Sequence, residues 1–247
     1  MNKLVIRNAY FVFFLTLGLP IFATNDFDLS TTSEGLLPIT VKPRIGEERQ
    51  LLAVVISPTQ LLAPIDVIGS GLSPLLEPKI SFDNHPITIH QTFQREQLVL
   101  LQYSKGGLTP VVLASDAGEA GRNIHFVYYS VEDGEPKAVP STIANQKSIA
   151  ETKGVYFDAT TAAALIGSSS AAVFNNCGEL IGHYSNKNST GVASIRGLDD
   201  LMLVIAQSGA LYERATDACP SESSKRKMEE EIQQAQEEAA ESQKEEI

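Results

Sequence analysis

The chain has 247 residues, 43% of them hydrophobic and 20% charged, with a formal net charge of −11. That length fits one larger domain with appendages, and the apolar share suffices for a real core. No basic cluster is large enough for nucleic-acid binding, and an acidic surface disfavours anionic partners.

The N-terminus reads as a processing signal. Lys3 and Arg7 precede an apolar run from Ala9 to Leu19, and Pro20-Ile21-Phe22-Ala23 ends on a small residue. This pattern predicts a secretory signal peptide over residues 1–23, cleaved after Ala23, and export to the periplasm or the outside. The alternative is a membrane anchor, for which the run is short; no stable span is expected after cleavage. Loss of Lys3 and Arg7 makes the mature chain more acidic.

Residues 24–44 form a polar lead-in containing one strand-like run, Leu36 to Val41. Short apolar, β-branched or aromatic runs follow at Leu51–Ser57, Leu61–Pro64, Ile80–Phe82, Ile87–Phe93, Gln97–Tyr103, Pro110–Ala114 and Ile124–Val131. After a polar connector comes Gly154–Asp158, then a hairpin of Ala172–Phe174 and Leu180–Gly182 around Asn175-Asn176-Cys177-Gly178. Many short strands with turn signals and almost no helix predict an all-β barrel or sandwich. Leu198 to Arg214 differs: Leu198, Leu201, Met202, Ile205 and Leu211 recur at helical spacing behind Asp199 and Asp200, which predicts one helix packed on the β domain. The ordered domain is placed at 45–214. Residues 215–247 form an acidic tail with a thin stripe of Met228, Ile232, Ala235 and Ala239, read as a solvated helix, a coiled-coil fragment or a partly disordered segment.

The chain contains two cysteines, Cys177 in the hairpin turn and Cys219 beyond the last helix. An isolated pair in an exported protein favours a disulfide, which would pin the helix end to the barrel; the alternative is two unrelated thiols. No Cys/His cluster has metal-ligand spacing and no Gly-rich phosphate loop is present, so neither metal nor cofactor is implied.

Before the hairpin stands Gly167-Ser168-Ser169-Ser170. Small residues there let backbone N–H groups converge as in an oxyanion hole, although a Ser-rich turn suits any β protein. With the hairpin, this segment resembles the nucleophile loop of trypsin-fold serine peptidases, the HtrA-like branch above all. Val54-Val55-Ile56-Ser57-Pro58 with Leu61-Leu62-Ala63 is similar to the hairpin before that family's catalytic His. Gln97 to Gln102 is similar to the strand that begins at its catalytic Asp. Pro110 to Ser115, Gly121 to Val127 and Phe157-Asp158-Ala159 also match in order over about residues 45–210. The resemblance implies two six-stranded β-barrels with a cleft between them, to which the residues themselves add a C-terminal helix and a charged tail.

On that match Ser169 takes the nucleophile's place and Gly167 that of an oxyanion donor, flanked by Ser168 and Ser170. Ser170, Ala171 and Ala172 depart from the family's Gly-Gly-Pro. The His place falls on Ile65 or, in the better alignment, Asp66, and the Asp place on Gln97 beside Glu96. A serine nucleophile needs a base and a group to orient it, and a carboxylate titrating near 4 accepts its proton poorly at neutral pH. Of His85, His90, His125 and His183, only His183 lies near the Ser hairpin. The stretch after residue 214 is too short for the PDZ-like domain of HtrA proteins. Three functions follow as expectations: a pseudoprotease binding a peptide or protein in the inter-barrel cleft, a serine endopeptidase with an unorthodox base, or an interaction protein working through its tail.

Overall fold

The computed structural model describes residues 27–68, 77–116, 118–149, 154–160, 170–185 and 192–220, with 224, 227 and 230–235 in the tail. Six strands, β1 (Leu36–Lys42), β2 (Arg49–Ser57), β3 (Gln60–Pro64), β4 (Lys79–Phe82), β5 (His85–Phe93) and β6 (Leu98–Tyr103), close into a barrel in the order β1-β2-β3-β6-β5-β4. The strand foreseen in the lead-in is one of its walls. Asp83 and Asn84 join β4 to β5 as a two-residue turn with φ of 46° and 62°, the left-handed conformation that Asp and Asn tolerate.

The apolar runs of β2 and β6 are continuous because both faces are covered. Leu51, Ala53, Val55, Val99 and Leu101 fill the barrel interior. The alternating Leu52, Val54, Ile56, Leu98 and Leu100 point outward into a second core. That core belongs to a second ring of antiparallel strands: β8 (Asn123–Ser130), β9 (Glu135–Ile149), β10 (Gly154–Thr160), β11 (Ser170–Asn175), β12 (Leu180–Ser185) and β13 (Val192–Gly197). Pairing runs β11-β8-β9-β10-β13-β12, and β12 returns to β11, closing six strands. Two short parallel additions lie outside β12, β7 (Val112–Leu113) and then β14 (Glu213–Arg214). Phe126, Phe174, Ile124 and Ile143 centre this core. The all-β, two-barrel architecture expected from the sequence is the one found.

Two elements differ from the sequence reading. The polar connector before Gly154 is the 15-residue strand β9. Its sequence, with Pro136, Pro140 and few apolar residues, carries little strand signal; ladders to β8 over residues 135–142 and to β10 over 143–149 hold it extended. The helix runs from Leu198 to Ser208 (α2), not to Arg214. Gly209 takes φ of 69° and its N–H caps the Ala206 carbonyl, so the helix ends there and Leu211 is 90% exposed. Leu198, Leu201, Val204 and Ile205 face the second barrel. In the tail, residues 230–235 are helical; Ile232 is half-buried and Ala235 exposed, while Met228 and Ala239 lie outside the described residues.

Ahead of β1 a short helix, α1 (Leu29–Thr32), is capped by Asp28, whose Oδ1 accepts the Ser30 N–H at 2.9 Å. Phe27 stacks on His125 with ring centroids 4.2 Å apart. Cys177 and Cys219 form a disulfide, with Cα atoms 5.9 Å apart. It pins the segment after β14 to the β11–β12 turn. Asn175 shapes that turn: its Oδ1 accepts the N–H groups of Cys177 and Glu179, and its Nδ2 donates to Glu179 Oε2.

Candidate functional site

Two of the positions singled out in the sequence meet on the backbone. β3 ends at Pro64 and passes into a 3-10 turn, Ile65–Ile68, which contains Asp66. The Ile65 N–H donates to the Gln97 carbonyl at 2.9 Å. Gln97 itself closes the β5–β6 turn in the left-handed region, φ 59°, with its Nε2 donating to the Gln94 carbonyl at 2.6 Å. The backbone at these two places is therefore fixed together, one residue from Asp66, at the mouth of strands β3 and β6.

Gly167, Ser168 and Ser169 lie outside the described residues. Their neighbour Ser170 opens β11 and is buried, opposite Ser185. All six residues of β11 are buried, and the strand lies against β2 of the first barrel as well as β8 and β12. Ser170, Ala171 and Ala172 are thus part of the wall where the barrels meet, which explains side chains small enough for a two-sided strand.

His183 stands on β12, opposite Ala172 on one side and Arg196 of β13 on the other. It is 6% exposed, and its Nε2 has no hydrogen-bond partner among the described residues. Burial pushes its pKa down to about 4; a hydrogen bond to the Ala171 backbone opposes the shift, and the Arg196 charge adds to it. The ring is neutral at pH 7 and a weak base. The other three histidines sit elsewhere. His85 Nδ1 is 2.8 Å from the Asp83 carbonyl in the β4–β5 turn, and His90 is exposed at a bulge of β5. His125 Nε2 is 3.0 Å from Asn176 Oδ1, beside the disulfide turn.

Two buried carboxylates, Glu96 and Asp200, escape a reading of the sequence alone. Glu96 is the one buried residue in an otherwise open turn, 94–97. Asp200, in the first turn of α2, is equally buried and pairs with Arg196 Nη1 at 3.5 Å. Burial holds the Asp200 pKa above the usual carboxylate value; Arg196 opposes the shift, and Glu96 reinforces it. The sequence showed Glu96 beside Gln97 and Asp200 at a helix start, but no local pattern marks either as buried.

A cavity of about 570 Å3 lies between α1, the disulfide turn and β7, lined by Asp28, Thr32, Glu34, Val111, Cys177 and Glu213. Among the described residues, Gln97, Ser170 and His183 do not border it. Among the described residues no cluster of three His, Cys, Asp or Glu side chains is placed to hold a metal. Nor is any helix among them long and apolar enough to cross a membrane.

No protein-family model and no curated protein sequence matches the chain. Solved structures do. The Rv3671c protease of M. tuberculosis in its active form is similar over 78% of this chain and 88% of that one, with a TM-score of 0.58 and 13% identity. Its inactive form is similar over 73% and 92%, with a TM-score of 0.55 and 13% identity. The HtrA-type protease AlgW, solved with a decapeptide, is similar over 72% of this chain and 65% of that one, with a TM-score of 0.55 and 14% identity. At these identities the likeness speaks for architecture: this chain has the two-barrel fold of trypsin-like and HtrA-type serine proteases.

Proposed function

We propose that the chain is an exported pseudoprotease of the trypsin fold, which binds an extended peptide or protein segment between its barrels without cutting it. The observation that carries this reading is the Ile65–Gln97 backbone bond. The two places equated with a serine protease's base and orienting carboxylate are locked together, yet they bear Asp66 and the amide of Gln97. Proton transfer from Ser169 would need an imidazole or an equivalent base there. An amide has no such basicity, and a carboxylate of ordinary pKa has little. Peptide binding by strand addition rests on backbone hydrogen bonds and is independent of the triad; AlgW, of the same architecture, was solved with a decapeptide. The disulfide accords with an oxidising compartment.

The test is a fluorophosphonate probe on the mature protein, with Ser169→Ala as control, alongside binding of a peptide library. Peptide capture without Ser169 labelling is the expected result. Labelling that disappears in Ser169→Ala would sink the proposal and favour an endopeptidase. For that second reading the unpartnered Nε2 of His183 is the place to look, and His183→Ala would then abolish labelling. If deleting residues 221–247 abolished partner binding while substitutions around Ser169 left it intact, the tail would be the working surface.

A further inference from the structure

We propose that the seam between β11 and β12, which closes the second barrel, is built to part in acid at the end that carries Ser170, with His183 as the trigger. The ladder is uneven along its length. At the turn end, the Asn175 N–H donates to the Glu179 carbonyl at 3.0 Å, the Asn175 side chain makes three further bonds, and the disulfide fastens Cys177. A bulge between the Val173–Gly182 and Phe174–Leu180 pairs then breaks the register. Beyond it stand the pairs Val173–Gly182, Ala172–His183, Ala171–Tyr184 and Ser170–Ser185. β8 supports β11 from Ala172 onward, so among the described residues Ser170 and Ala171 pair with β12 alone. A strand end held on one side is where a ladder opens first.

His183 stands in that weaker stretch. Its ring is buried, and Nε2 has no partner among the described residues. The bond to the Ala171 backbone therefore falls to Nδ1, which donates to the carbonyl and leaves Nε2 as a bare acceptor. Protonation would put an N–H on Nε2 with nothing to receive it, and would create a buried cation opposite Arg196. Arg196 is the charge that acts on the ring. Asp200 of α2 is engaged with Arg196 at 3.5 Å, Ala171 and Ala172 face His183 from β11 without charge, and β7 brings only Val112 and Leu113. The closed seam therefore resists a proton that the parted seam accepts. The ring titrates at about 4 when shut and near 6.5 when solvated. Each pH unit lost between those values raises the open-to-closed ratio up to tenfold, about 300-fold in all. Ser170 adjoins Ser169, so acid loosens the backbone there while the disulfide keeps the hairpin turn shut. This holds whatever the cleft binds.

The experiment is hydrogen exchange on the full mature chain, read by mass spectrometry on peptides spanning residues 170–175 and 180–185, with 124–130 of β8 as the reference. It compares about pH 6.5, about 5.5 and about 4.5 after correction for the intrinsic exchange rate. In the wild type, opening at 170–173 and 182–185 is expected to rise roughly tenfold per pH unit lost, and to stay more frequent than opening in β8. His183→Gln stays neutral at every one of these pH values and keeps an amide to donate to the Ala171 carbonyl; in it the rise is expected to vanish. His183→Ile serves if the glutamine variant fails to fold. Opening in the wild type that does not change with pH would overturn the proposal, as would an undiminished rise in the variant. Opening at the seam no more frequent than in β8 would do the same, since the whole fold and not this seam would then be what yields.

Discussion

Acid should weaken this protein in a way that one buried side chain, His183, makes measurable. An unfolded imidazole titrates near pH 6.5, whereas burial in β12 holds this one near 4. Between those values the unfolded chain carries the extra proton, so stability present above about pH 6.5 is lost as pH falls through the folded pKa. From pH 7 to pH 4.5 the difference amounts to about 2.5 kcal/mol, on 1.36 kcal/mol per pKa unit. The chain has no tryptophan, so urea unfolding followed by far-UV circular dichroism is the suitable assay, run at both pH values on wild type and His183→Ile. Isoleucine suits a buried strand and does not titrate. The variant is expected to lose about 2.5 kcal/mol less than the wild type over that interval. At pH 7 it should be no less stable, since the Nε2 it removes has no partner among the described residues. Asp200 titrates with the opposite sign in both proteins and cancels. Parallel losses of stability in the two proteins would refute the reasoning, for they would mean that His183 is solvated and free to charge.

Other expectations concern the frame around the junction. The disulfide closes a sequence separation of 42 residues, for which the chain-entropy relation gives about 4 kcal/mol. The double substitution Cys177→Ala and Cys219→Ala should lower the melting temperature by roughly 8–16 °C in calorimetry. Gly182→Ala would place a Cβ 2.6 Å from the Arg196 carbonyl oxygen and 2.7 Å from Ile195 Cγ2. Backbone must shift, and denaturant titration should show a loss of about 1–3 kcal/mol or more. Asn175→Ala strips the hairpin turn of three hydrogen bonds and leaves the Cys177 and Glu179 N–H groups without their acceptor. It should cost about 2–4 kcal/mol in urea unfolding and speed reduction of the disulfide by dithiothreitol.

The strands of both barrels are legible where burial leaves a local signature. Leu51–Ile56 and Leu98–Leu101 read as strands because both faces are apolar, and Asp83-Asn84 reads as a turn because both residues tolerate a left-handed backbone. Strand β9 is invisible for the converse reason: its order comes from hydrogen bonds to two neighbours, which its own residues do not encode. The helix end is set by Gly209, whereas the spacing that takes in Leu211 suggests a helix running on to Arg214. The cysteine pair needs only counting and a compartment. At the site, Ile65 and Gln97 are joined by a backbone hydrogen bond, a pairing that no local pattern in the sequence shows. Likewise, the burial of Glu96 and of Asp200 follows from tertiary packing, and no window of sequence contains it.

The outward faces of β2 and β6 carry a further consequence. Cut the chain in the linker between β6 and β7, and the N-terminal fragment would contain every strand of a closed barrel. It would also present Leu52, Val54, Ile56, Leu62, Leu98 and Leu100 to water, an oily side with nothing upon it. Such a half would clump when made alone. Supplied with its complement it should regain a soluble partner by burying that side again. The two barrels are distinct as drawings of strands, but sharing that core they should melt as one body.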